Sequence, residues 1–96
     1  MLFAFICTDK RDSLELRTQV RADHVAYLNS LGETLRFAGP FLDGQGNATG
    51  SLVVVEAQTR ADAENLAAND PYNKAGLFAS VDIRAWRWTL KNPDAK

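Results

Sequence analysis

The chain opens on an apolar run, Leu2-Phe3-Ala4-Phe5-Ile6-Cys7-Thr8, with no polar alternation. Residues 2–8 have strand length, and a strand apolar on both sides belongs in the middle of a covered sheet. Asp12-Ser13-Leu14-Glu15 then joins a short polar side chain to an acid three positions on, the signature of a helix start. From there Leu16, Val20, His24, Tyr27, Leu28 and Leu31 recur at steps of three and four. That spacing predicts an amphipathic helix, with a break near Val20 and an end at Gly32, which can take the left-handed conformation that stops a helix.

Residues 34–42 read as a second strand, interrupted by Gly39-Pro40. Proline removes a ladder donor, so this strand is expected at an edge or with a bulge at that point. Residues 43–50, rich in Gly, form a flexible loop, and residues 51–57 a third strand centred on Leu52-Val53-Val54-Val55. Thr59-Arg60-Ala61-Asp62 carries another cap pattern and opens a second helix that buries Ala63, Leu66 and Ala67. Asn69-Asp70-Pro71 ends it, because the residue before proline disfavours the α region. Pro71 to Ala75 reads as a helical turn closed by Gly76. Residues 79–90 form the last strand, with Val81, Ile83 and Ala85 on one face and Trp86, Trp88 and Leu90 on the other.

The order is β-α-β-β-α-β, which defines an α+β, ferredoxin-like fold: a four-stranded antiparallel sheet with both helices on one face. The opposite face is then left bare. Two tryptophans on a bare face either join the chain's own core or make an apolar patch of the kind that marks an interface, and the patch is the favoured reading. The expectation is a homodimer joined through the sheet faces.

Length fits this picture. Ninety-six residues make one domain, 1–96, and a chain this short buries only about 60–65% of its unfolded surface, so a partner subunit relieves a thin core. Eleven basic against twelve acidic residues leave a net charge of −1, which lacks the basic footprint of a nucleic-acid binder. The N-terminal apolar run has no preceding basic residues and is too short to span a membrane, so a soluble cytoplasmic protein is expected. The single cysteine, Cys7, has no disulfide partner and reads as a buried, inert thiol. With one histidine no metal site is expected, and nothing calls for a cofactor. Asn47-Ala48-Thr49 matches a glycosylation sequon, which without a secretion signal reads as chance.

His24 is the residue that needs a reason. It lies on the apolar stripe of the first helix, where an unpaired imidazole is costly. Either it is a core histidine bonded to a backbone group, or it is a general acid or base. Asp70 is a natural N-cap ahead of Pro71, and a carboxylate held by a helix start also suits the orienting of an imidazole. Sequence spacing does not say whether the two meet. Arg21, one helical turn before His24, can hold an anion or be a solvated surface charge. Ser51, after Gly50 at a strand start, can offer a hydroxyl or be a turn residue. The glycines at 44, 46 and 50 do not make a phosphate loop, since no Lys-Ser/Thr follows.

Four segments together resemble YciI-like proteins. Arg21-Ala22-Asp23-His24-Val25-Ala26-Tyr27-Leu28 resembles their R-P-x-H-L-x-x-L helix, and Ala38-Gly39-Pro40 their A-G-P strand. Gly50-Ser51 resembles the start of their third strand, and Asn69-Asp70-Pro71-Tyr72 their D-P segment. The resemblance keeps motif order over nearly the whole chain and departs at Ala22, where a proline is frequent. It implies a dimeric α+β barrel and a His–Asp pair that falls on His24 and Asp70. One branch of that family eliminates chloride from a chlorinated hydroxylated aromatic, and related barrels isomerise lactones.

The leading reading is therefore a small dimeric enzyme, a lyase or isomerase acting on a cyclic or aromatic metabolite. His24 moves the proton, Asp70 fixes its tautomer, and Ser51, Arg21, Tyr72 and the backbone at Gly39 and Pro40 hold the substrate. Phe37, Phe41 and Tyr72 are expected as apolar walls. The alternative is a non-catalytic ligand-binding or assembly module in which the same pair is structural.

Overall fold

The structure, a computed structural model, describes residues 1–94. Its elements are β1 (Leu2–Asp9), α1 (Leu14–Ser30), β2 (Leu35–Leu42), β3 (Ala48–Glu56), α2 (Arg60–Ala68), α3 (Pro71–Lys74) and β4 (Phe78–Trp86). A short 3₁₀ turn, Gly32–Thr34, links α1 to β2. The strands form one antiparallel sheet in the order β2-β3-β1-β4. The apolar run of β1 thus lies in the interior of the sheet, where Phe5 stands between Val53 and Ile83.

Strand alternation assigns the faces. Phe3, Phe5, Cys7, Val53 and Val55 point to the helix layer and meet Leu28, Ala63, Ala67, Tyr72 and Leu77 in one core. The small residues Ala63 and Ala67 let α2 lie close on the sheet. Tyr27 of α1 ties the helix layer together by donating its hydroxyl to the Leu66 carbonyl at 2.7 Å. Among the described residues no helix is long and apolar enough to cross a membrane.

Helix signals acted where the sequence places them, with one exception. The Thr59 hydroxyl accepts from the Asp62 N–H at 3.1 Å and caps α2. Asp70 caps α3, with Pro71 at its first position. Gly32 takes a left-handed φ of 58° just past the end of α1. At the start of α1 the expected cap does not form. Asp12 itself turns left-handed with φ 56°, and Ser13 Oγ donates to the Arg11 carbonyl instead of capping. Helix α1 runs unbroken through Val20.

Two departures concern the sheet. Strand β2 is an edge strand as expected, but its pairing with β3 shifts register at Arg36 and again between Phe41 and Leu42, and not at Gly39-Pro40. Leu35 pairs with Val55 while Phe37 pairs with Val54, so two steps on β2 match one on β3. Such a bulge swaps every later side chain to the opposite face. Strand β4 ends at Trp86, short of the expected residue 90, so Trp88 lies beyond the sheet. The face away from the helices is consequently not bare. Phe37 meets Trp86 and Trp88 edge-on with centroids 5.7 and 4.9 Å away. Arg36 pairs with Asp94 at 2.8 Å, drawing the C-terminal segment back toward β2. Ala4 and Val54 on this face are buried, while Phe41 and Trp86 stay exposed.

Candidate active site

The bulge at Arg36 creates the site. Without it Phe37 and Phe41 would face the helix layer. With it they leave, and Ala38, Gly39 and Pro40 line that side instead. Small residues fill less space, and a cavity of about 470 Å³ remains between β2, β3 and α1. Phe37 and Phe41 are therefore not its walls, contrary to the sequence expectation. Leu28, Leu35, Val53 and Tyr72 supply them.

His24, Asp70 and Tyr72 come together beside this cavity, and His24 and Tyr72 line it. Asp70 Oδ1 and Oδ2 lie 2.8 and 3.0 Å from His24 Nδ1. Asp70 Oδ1 also accepts the Tyr72 N–H at 2.9 Å, so the α3 cap and the imidazole share one carboxylate. The Tyr72 ring stacks on His24 with centroids 3.9 Å apart and planes 18° from parallel. Both side chains of the pair are nearly buried. His24 nevertheless lines the cavity, and no buried polar side-chain atom among the described residues lacks a partner. Nε2, which has no protein partner among those residues, is therefore the ring nitrogen open to the cavity.

Arg17, two helical turns (about 10.5 Å) before His24, is the residue that sequence reasoning missed. Its guanidinium lies 4.6 Å from the Tyr72 ring centroid. The Tyr72 ring thus contacts both His24 and Arg17. Arg17 is buried, and Nε and Nη2 reach both oxygens of Asp9 at 2.7 and 3.1 Å. Nη2 also donates to Ser51 Oγ at 2.8 Å. Burial opposes the Arg17 charge, but the bond to Asp9 and its negative charge outweigh that and hold the guanidinium protonated. A signal for Arg17 existed: it lies on the His24 stripe, seven residues before it.

Ser51, Arg21, Gly39, Pro40 and Tyr72 all line the cavity. Ser51 is buried and stands opposite Cys7 and Pro40. Gly50 before it is required, because any Cβ there would collide with the Cys7 carbonyl. Arg21 is exposed at the cavity rim and has no carboxylate partner among the described residues. Cys7 lies beneath the site, and burial, with Asp70 and Asp9 adding to it, pushes its thiol up to about 12. Burial also raises Tyr72 and Tyr27. Among the described residues no three His, Cys, Asp or Glu side chains group as a metal site would need.

Fold and cavity together define a ferredoxin-like α+β protein whose helix-side pocket is lined by buried charged and polar side chains. The chain belongs to the YCII-related family: residues 1–87 match that domain. It is 36% identical to protein YciI of Escherichia coli over 91% of this chain and 97% of that one. Among solved structures, 5-chloro-2-hydroxyhydroquinone dehydrochlorinase from Burkholderia phenoliruptrix, in complex with 2,5-dihydroxybenzoquinone, superposes with a TM-score of 0.85. That similarity spans 91% of this chain and 94% of the other at 34% identity. A NIPSNAP family protein from Agrobacterium tumefaciens, 18% identical with a TM-score of 0.58 over 98% of this chain and 97% of its own, shares the fold alone.

Proposed function

We propose that this chain is a small enzyme of lyase or isomerase type that moves a proton on a small hydroxylated cyclic or aromatic metabolite. His24 is the general base or acid and Asp70 the residue that orients it. One observation carries the reading: both Asp70 oxygens engage Nδ1 while Nε2 opens to the cavity. A neutral imidazole that donates from Nδ1 keeps its lone pair on Nε2, which is the state a base requires. A core histidine held only for stability would gain nothing from an open ring nitrogen. Arg21, Ser51, Tyr72 and the backbone of Gly39-Pro40 hold the substrate. Similarity to a dehydrochlorinase of a hydroxylated ring supports this substrate class.

The reading includes a homodimer joined through the sheet face that carries Phe41 and Trp86, both exposed in the single chain. Sedimentation at graded concentrations tests it, with a monomer at all concentrations as the overturning result.

Activity is tested with two compounds. Chloride release from 5-chloro-2-hydroxyhydroquinone and carbon-bound H–D exchange in 2,5-dihydroxybenzoquinone are followed for wild type and His24→Asn. Asparagine keeps a donor toward Asp70 but lacks Nε2. Turnover is expected to fall about 10²–10⁴-fold with the fold retained. Binding without conversion by the wild type, or conversion indifferent to His24→Asn, assigns the pocket to a ligand-binding module instead.

A further inference from the structure

The cavity holds a second polar device, the Arg17–Asp9 pair behind Ser51, and the proton-transfer reading does not say what that pair does to the serine. Arg17 Nη2 carries two hydrogens. One goes to Asp9 Oδ1 and one to Ser51 Oγ. Ser51 Oγ is therefore an acceptor toward a buried cation, and its own hydrogen finds no acceptor among the described residues. A hydroxyl that accepts from a guanidinium is polarised and becomes a stronger donor. Ser51 lines the cavity that also receives His24. Asp9 balances the Arg17 charge, and Asp70 faces His24, so Arg21 at the rim is left as the uncompensated charge. The cavity thus offers one acceptor at His24 Nε2, one polarised donor at Ser51 Oγ, and a positive entrance.

We infer that Ser51, polarised by the buried Arg17–Asp9 pair, donates its hydrogen bond to the anionic oxygen of an acidic hydroxylated substrate in the cavity that it shares with His24. This rests on the proton-transfer reading and names the substrate chemistry it requires. The substrate is an enolisable carbonyl compound or an acidic ring hydroxyl conjugated to one. In the step, a substrate C–H bond breaks and the proton passes to Nε2. The C–H electron pair becomes a C=C bond, and the carbonyl π pair ends on oxygen as an enolate. Ser51 meets that oxygen with a donor already in place, which costs no reorganisation when charge develops. Return of the proton from the imidazolium to carbon restores His24. Ser51 is the catalytic residue of this device; Arg17 and Asp9 are positioning residues that act through it.

The probe is 2,5-dihydroxybenzoquinone, a vinylogous acid that is anionic at neutral pH, and its comparator is the neutral 2,5-dimethoxy ether. Binding is read from the visible absorption of each quinone on titration with protein. Ser51→Ala is expected to weaken binding of the anion about tenfold or more and to leave the ether unchanged. Ser51→Thr, which retains the hydroxyl, restores the wild-type preference. Arg17→Lys, if it folds, moves the anion's affinity in the same direction as Ser51→Ala; the serine variants decide the matter if it does not. An anion affinity within twofold of wild type in Ser51→Ala, equal losses for anion and ether, or no binding of the anion by the wild type overturns the inference. The two readings fail separately. Ser51-dependent anion binding without His24-dependent exchange sinks the enzyme and spares the oxyanion site. Exchange lost in His24→Asn but indifferent to Ser51→Ala does the reverse.

Discussion

Two buried side-chain pairs each put one member, Arg17 or His24, on the wall of the same cavity, and they differ in what they leave free. Arg17 and Asp9 meet side-on through two bonds, and Arg17 spends a further donor on Ser51. His24 and Asp70 meet through one ring nitrogen, leaving the other for the cavity. In the first pair a permanent cation is locked against a carboxylate. In the second an imidazole is held in one orientation by its carboxylate. Tyr72 touches both, stacked on the imidazole and close to the guanidinium. The lesson is that burial alone does not mark a functional pair; what matters is which atom is left free.

Breaking each pair separates these roles. The largest effect is expected from Asp9→Ala. It leaves Arg17 buried without its carboxylate, and losing one partner of a buried pair costs about 3–5 kcal/mol. Urea unfolding followed by circular dichroism reads this loss, and a change below about 1 kcal/mol would mean that Arg17 escapes to solvent. Asp70→Ala comes next. It removes the α3 cap and the imidazole's partner together, at about 2–4 kcal/mol. Asp70→Asn retains an acceptor for the Tyr72 N–H, so it should cost less stability and still shift the His24 ring tautomer in ¹⁵N spectra. An unchanged tautomer would show that Asp70 does not orient the ring.

A smaller effect sharpens the comparison from below, at Cys7. Its thiol, raised to about 12 from 9.0, keeps its proton in the folded chain where the unfolded chain has lost it. Below pH 9 both states are protonated and the thiol adds no pH dependence. From pH 9 to about 12 only the unfolded state releases the proton, so stability falls as pH rises, by at most about 1.4 kcal/mol per pH unit. Cys7→Ala should lose this component of the alkaline decline, and equal slopes for the two proteins would refute it. The smallest effect belongs to Arg60 and Glu64, an exposed helical pair at 3.1 Å. A double-mutant cycle there should give about 0.3 kcal/mol, since exposed pairs are screened. A coupling as large as at Arg17–Asp9 would erase the distinction between buried and surface pairs.

His24 and Asp70 were legible as candidates because each violates a local expectation: a titratable ring on an apolar stripe, and a carboxylate ahead of proline. Arg17 shares the His24 stripe but breaks no such expectation, because a long basic side chain near a helix start ordinarily reaches water. Its burial depends on Asp9 and Ser51, which are eight and thirty-four positions away. Phe37 and Phe41 misled for a similar reason. Strand period is strict, so a single extra residue at Arg36 reversed both, and no local residue type marks that bulge.

The sequence by itself determined the elements, their order and most of their ends. Caps at Thr59 and Asp70, the left-handed turn at Gly32 and the apolar run of β1 all act over a few residues, and local backbone chemistry decides them. Only the tertiary structure decided which face β2 shows to the helices, that Arg17 is buried, and that His24 meets Asp70 across 46 positions. Those outcomes depend on register and on charges finding partners far along the chain, which become defined only when the sheet closes against its helices.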